Sequence, residues 1–212
     1  GGLSAGTGGN AGLVLADSKG KYRASMMLDA DGSPVLRFTD AADKPRVTVA
    51  VAQNGSPAIS LFEGGGFRAG LVIAPDGNPR LTLNDAAGKT RAEIALEDKG
   101  SARLALNDAG GRIRAGIIVN DAPALFLYDG DRKDRIALTL SRTGVPSISL
   151  KGADGRTPAG LYIDDGGKPH LDIIDTAGKA GLYLALTGPG QPGFRLADAN
   201  GMVRGLFALT PE

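Results

Sequence analysis

Apolar and polar residues alternate in short bursts through most of this chain, and the bursts recur. Between Pro79 and Leu96, Leu81 and Leu83 stand among polar neighbours, a turn-like Ala86-Ala87-Gly88 follows, and Ala92, Ile94 and Leu96 then alternate again. A period of two is that of a half-buried strand. The first pair returns as Leu13/Leu15, Leu36/Phe38, Ile59/Leu61, Leu104/Leu106, Leu125/Leu127, Ile148/Leu150, Leu171/Ile173 and Phe194/Leu196. The second set returns as Val47/Val49/Val51, Ala69/Leu71/Ile73, Ile136/Leu138/Leu140 and Leu182/Leu184/Leu186. No segment sustains helical spacing, so the pattern predicts an all-β chain of roughly eighteen short strands.

Aligned on Arg91, the pattern repeats at Arg23, Arg46, Arg68, Arg114, Arg135, Pro158, Gly181 and Arg204, with steps of 21 to 23 residues. Self-similarity at such a period predicts about nine tandem two-strand units stacked as an elongated array. The array is read as one domain over residues 11–212, preceded by a Gly-rich leader or assembly arm over 1–10.

The turns fit hairpins. Asp-x-x-Gly occurs at Asp17–Gly20, Asp85–Gly88, Asp108–Gly111 and Asp175–Gly178, and a second type reads Asp/Asn-Gly-x-Pro, as in Asp31–Pro34, Asn54–Pro57 and Asp76–Pro79. Asp caps backbone amides, Gly supplies a positive φ, and Pro opens a strand where no ladder donor is needed. Two arrangements satisfy this: an antiparallel β-meander of consecutive strands, or a β-solenoid pairing equivalent strands of successive repeats.

The other face of the second strand carries Met27, Ala50, Val72, Ala95, Ile118, Thr139, Tyr162, Ala185 and Ala208, small or apolar where a solvated face would be polar. This strip predicts cover by another layer or an identical neighbour, with Met27, Val72, Ile118 and Tyr162 as lateral contacts.

Composition narrows the partners. A formal net charge of +1 supplies no overall basic field for nucleic acid. The chain has no Cys, hence no disulfide or thiolate site, and no apolar run reaches the ~18 residues of a membrane helix. A transmembrane barrel is disfavoured by short strands and missing aromatic girdles.

The candidate chemistry is sparse. The Arg row (Arg23, Arg46, Arg68, Arg91, Arg114, Arg135 and Arg204) is a possible anion track, but a turn Asp in each repeat is the simpler partner. Asp29/Asp31 and Asp129/Asp131 fall short of a calcium-binding pattern, and turn capping explains them. His170 is the only histidine, with nothing in the sequence placing a nucleophile beside it. No catalytic, metal or cofactor residue is assigned.

The unit Pro-x-Leu-x-Leu-x-Asp-x-x-Gly-Lys-x-Arg-Ala-x-Leu-x-Leu, clearest over Pro79–Arg91, resembles repeats in a loose group of bacterial proteins, many uncharacterised, that carry an N-terminal membrane segment or signal. The resemblance covers residues 11–209 and implies an exported, extracytoplasmic β-repeat protein. Together these readings predict a structural subunit, not an enzyme. It self-associates through strand edges and the apolar strip into an oligomer or filament. The alternative is a fibre or adhesin module that binds glycan.

Overall fold

The computed structural model describes residues 2–5, 11–97, 100–188 and 191–209. It forms two compact units, Gly1–Gly111 and Arg112–Glu212. The first contains β1 (Gly2–Ala5), β2 (Ala11–Ala16), β3 (Tyr22–Leu28), β4 (Pro34–Thr39), β5 (Pro45–Val51), β6 (Pro57–Glu63), β7 (Gly66–Ile73), β8 (Pro79–Asn84), β9 (Thr90–Leu96) and β10 (Ala102–Asn107). The second contains β11 (Ile113–Val119), β12 (Ala124–Tyr128), β13 (Asp134–Leu140), β14 (Pro146–Leu150), β15 (Ala159–Ile163), β16 (Pro169–Ile174), β17 (Gly181–Gly188), β18 (Gln191–Ala197) and β19 (Val203–Ala208). Within each unit consecutive strands pair antiparallel, and no α-helix occurs among the described residues. The hairpin turns therefore select the antiparallel meander. The stretch read as a leader contributes β1, paired Gly2↔Val14 to Ala5↔Ala11; its other residues lie outside the described ones.

Both turn families share one geometry, except that Asp175 donates its amide to the carbonyl of the sixth residue, Ala180. The first residue accepts the amide of the fourth and donates its own amide to the carbonyl of the fifth, as in Gly88 N–H to Asp85 O (3.0 Å) and Asp85 N–H to Lys89 O (2.9 Å). The same pair of bonds closes Asp29–Ser33, so Asp31-Gly32 fills the third and fourth places of a longer turn and is not a two-residue hairpin loop. The fourth residue is left-handed, with φ 78° at Gly88 and 83° at Gly32. Two repeats put a side chain there: Asp43 at φ 59° and Arg132 at φ 64°. Left-handed backbone costs an L-residue about 1–2 kcal/mol relative to Gly. Arg132→Gly is thus expected to raise unfolding stability by about 1 kcal/mol, and Gly88→Ala to lower it by about as much. No atom lies within 4 Å of a Cβ at Gly88, so backbone strain alone would act. Urea titration of both variants checks the pair.

Register reveals a feature that the repeat alone did not. Leu15 pairs with Ala24 while Ala16 pairs with Tyr22, leaving Arg23 as the extra residue of a β-bulge. The same skip falls at Arg46, Arg68, Arg91, Arg135 and Arg204. At Gly181 the β16–β17 ladder continues without a shift, Ile174 pairing with Gly181, whereas the β14–β15 ladder ends at Leu150↔Ala159, before Pro158. A bulge bends the strand and re-aims the inserted side chain.

Candidate functional site: the apolar sheet face

The pairing register gathers the recurring apolar residues onto one face of each unit. In the first unit a row runs Leu13, Met26, Leu36, Val49, Ile59, Leu71, Leu81, Ile94 and Leu104, each opposite the next. In the second, the equivalent row runs Ile117, Leu125, Leu138, Ile148, Leu161, Leu171, Leu184, Phe194 and Phe207. A parallel row lies beside each, including Phe38, Leu61 and Leu83 in one unit and Ile136, Leu150 and Ile173 in the other.

Alternation marks these residues as a core face, yet they are not covered. Leu71, Leu161 and Ile94 are 46%, 48% and 51% exposed, and most of their row neighbours are similar. Strands pack chiefly against their sequence neighbours, so among the described residues this face has no opposing layer within its unit. The buried side chains among the described residues are Val35, Ala95, Ala105 and Ala137, all on the opposite face. Ala95 is shaded by Arg80 and Arg103 on its flanking strands, and Ala137 lies next to Phe126. In the second unit Leu125, Leu138, Ile148 and Leu161 line an apolar groove of about 590 Å³, with Pro146 and Pro169 along its rim.

The four side chains expected as lateral contacts stand on the opposite, half-buried face. Met27 pairs with Gly12 and Val35, Val72 with Ala58 and Arg80, Ile118 with Ala124, and Tyr162 with Ser147 and His170.

The Arg row is brought back onto the turns. In Arg23, Arg46 and Arg135 the Nε donates to the Asp six residues earlier, at 2.9, 2.9 and 2.7 Å. Arg91 reaches Asp85 at 2.8 Å and Arg204 reaches Asp198. The same carboxylates cap the turn with their other oxygen: Asp85 Oδ1 accepts the amides of Ala87 (2.9 Å) and Lys89 (3.0 Å). Arg114 donates to Tyr128 O at 3.0 Å. Arg68 follows the Gly64-Gly65-Gly66 turn, where no Asp stands six residues before it. One carboxylate thus holds both turn and bulge, and these amides and guanidiniums keep Asp17, Asp40, Asp85, Asp129 and Asp198 below the ordinary value of 3.8. The guanidiniums of Arg23, Arg46, Arg91, Arg135 and Arg204 are committed to clasps within the fold, which weighs against an anion track.

The acidic turns are spent in the same way. Asp31 Oδ1 accepts the Ser33 amide at 3.0 Å, and Asp129 holds two amides and Arg135. Among the described residues no group of three His, Cys, Asp or Glu side chains is placed to hold a metal ion.

His170 has a setting that the sequence did not disclose. Its Nε2 lies 3.0 Å from Asp164 Oδ2, and its ring stacks on Tyr162 with centroids 4.9 Å apart. The Tyr162 hydroxyl donates to Asp172 Oδ2 at 3.0 Å, and Arg195 lies 4.0 Å over the Tyr183 ring. Desolvation, and then Asp172, push the Tyr162 phenol above its usual value. The detectable signal was where the repeat breaks, since these residues flank the repeats that lack Arg.

Fold and surface define a class: a tandem-hairpin β-repeat chain, clasped by an Asp–Arg pair in most of its repeats and carrying an uncovered apolar face. No family model and no curated protein matches it. No helix among the described residues is long and apolar enough to cross a membrane.

Proposed function

We propose that this chain is a structural subunit that associates with copies of itself through its apolar sheet face, building an extracellular oligomer or filament. The carrying observation is the pair of registered rows of large apolar side chains left about half exposed. A second copy suits the face because it brings rows with the same strand spacing, about 4.8 Å, so side chains from two copies interdigitate as in a sheet sandwich. Edge pairing between copies would extend the assembly by main-chain hydrogen bonds. The extracellular setting rests on the resemblance of the repeat unit to those of exported bacterial proteins.

Analytical ultracentrifugation with thermal melts over a hundredfold concentration range tests the proposal. Expected are species heavier than 21.5 kDa and a melting temperature that rises with concentration. A folded monomer with a concentration-independent melt overturns it.

A second reading, a glycan- or surface-binding fibre module, is favoured by a different observation: the aromatic side chains that the repeat leaves unexplained gather on the opposite face of the second unit.

A further inference from the structure

The outward face of this repeat mixes small residues with scattered larger ones such as Arg37, Arg80, Glu93, Arg103 and Phe126, and it gathers Tyr162, His170 and Tyr183 in one place. Across β15 to β18, one row reads Tyr162, His170, Ala185, Gly193 and the adjacent row reads Asp172, Tyr183, Arg195. Equivalent places in the first unit hold Ala50, Ala58, Thr48, Ser60 and Gly70, or a charged residue such as Arg37 or Arg80, but no Tyr or His. Periodicity does not explain the Tyr and His residues, and a regular sheet does not need them. Here the repeat also gives up its clasp, with Pro158 and Gly181 in the Arg places.

The result is a depression. Ala185 and Gly193 form a low floor between two raised walls, the stacked Tyr162–His170 pair on one side and Arg195 over Tyr183 on the other. The space measures about 400 Å³, at the small end of ligand-sized clefts (about 300–1,000 Å³). Its walls are held from behind: Asp164 fixes His170, and Asp172 fixes the Tyr162 hydroxyl. A positioned first layer of this kind costs little ordering on binding.

We propose that this depression is a saccharide-binding subsite for a hexose unit of a glycan. The inference rests on the second reading above and gives it a location. Pyranose rings present flat C–H faces edged by hydroxyls. Tyr rings meet such faces with apolar bodies and keep a polar tip. Asp172 accepts from hydroxyls, and the exposed Arg195 guanidinium donates to hydroxyl or ring oxygens across the same depression. Asp172 and Arg195 flank Tyr183 in one row, two strand spacings apart or about 10 Å, so a hydroxyl acceptor and a donor stand along the same wall of the depression. The site is on the face opposite the apolar rows, so a self-associated subunit still presents it.

The test is a glycan array carrying neutral and uronic-acid glycans, probed with the full chain, followed by calorimetric titration of the best hit. Arg195→Ala, Tyr183→Ala and the conservative Tyr162→Phe are compared with a distant aromatic control, Phe62→Ala, and folding is checked by circular dichroism. Expected is binding of a hexose-containing glycan, weakened at least tenfold by Arg195→Ala and Tyr183→Ala and unchanged by Phe62→Ala. Binding that survives both variants overturns this location while leaving the glycan-binding module standing. Binding to no glycan on the array overturns both. If Tyr183→Ala fails to fold, Arg195→Ala decides alone, because its side chain projects to solvent.

Discussion

A chain carrying Leu71→Lys and Ile117→Lys is expected to sediment as a monomer where the unaltered chain assembles. Leu71 stands between Ile59 and Leu81 in its row, and Ile117 faces Leu125 in the equivalent row of the second unit. In the free chain both are part exposed, at 46% and 37%, so lysine there extends its ammonium into water with little harm to the sheet. Covered by a second copy, each lysine forfeits about 1 kcal/mol of apolar burial and adds several kcal/mol of charge desolvation. Two such sites weaken association by about a thousandfold or more, at about 1.4 kcal/mol per factor of ten. Val72→Lys with Ile118→Lys is the matching control, one residue along in each strand and hence on the other face. It is expected to leave assembly within about tenfold of the unaltered chain. Sedimentation velocity on the two double variants reads the outcome. If the control dissociates and the first variant does not, the small-residue strip around Met27 and Tyr162 is the contact instead.

Acid is expected to loosen the repeats together. Asp40, Asp85, Asp129 and Asp164 are held below 3.8 chiefly by a turn amide, that of Lys44, Lys89, Lys133 and Lys168 respectively. In Asp17 and Asp198 the first cause is the guanidinium of Arg23 and Arg204. A carboxylate whose pKa is depressed by folding protonates more readily in the unfolded chain. Its stabilisation is therefore complete above the unfolded value and is lost as pH falls through the lower folded value. Stability should be flat with respect to these groups from pH 8 to about 5, begin to fall near 4, and continue downward until the folded-state carboxylates protonate. Because the same unit recurs along the chain, the losses accumulate. Urea midpoints at pH 7, 5, 4, 3 and 2.5 measure this, and a midpoint unchanged down to pH 2.5 would show that the clasps contribute nothing. Asp85→Asn separates the two roles of one such group, since the amide oxygen still caps Lys89 while the charge on Arg91 goes unmatched.

Much of the fold was legible in the chain. Alternation such as Leu81/Leu83 and Ala92/Ile94/Leu96 located strands and faces, because a pleated strand admits only a period of two. Strand pairing was not legible, since Asp-x-x-Gly closes a hairpin but its sequence also suits a wider coil. The bulge was legible in principle. The turn pairs Asp17 with Lys21, residue numbers that sum to 38, whereas Leu15 and Ala24 sum to 39, and one extra residue must absorb the difference. Periodicity also says which side chains share a face but not what covers it. That is why Leu71 read as core yet stands half exposed, while Ala95, read as part of an outer strip, is buried under its arginine neighbours. The Tyr162–His170–Tyr183–Arg195 cluster was missed for another reason. Its members come from four strands, and a search for motifs within one repeat cannot join them.

The clasp between Asp85 and Arg91 closes within six residues of a single repeat. Each repeat that keeps this Asp–Arg pair therefore carries its own turn, its own bulge and the means to fix both. A tandem duplication or deletion of one such segment brings or removes a complete clasp and leaves those of its neighbours intact. The gene can change length by whole repeats without any compensating substitution elsewhere. Natural variants of this chain should accordingly differ in steps of about 23 residues, with sequence drift concentrated where the clasp is already absent, around Pro158 and Gly181.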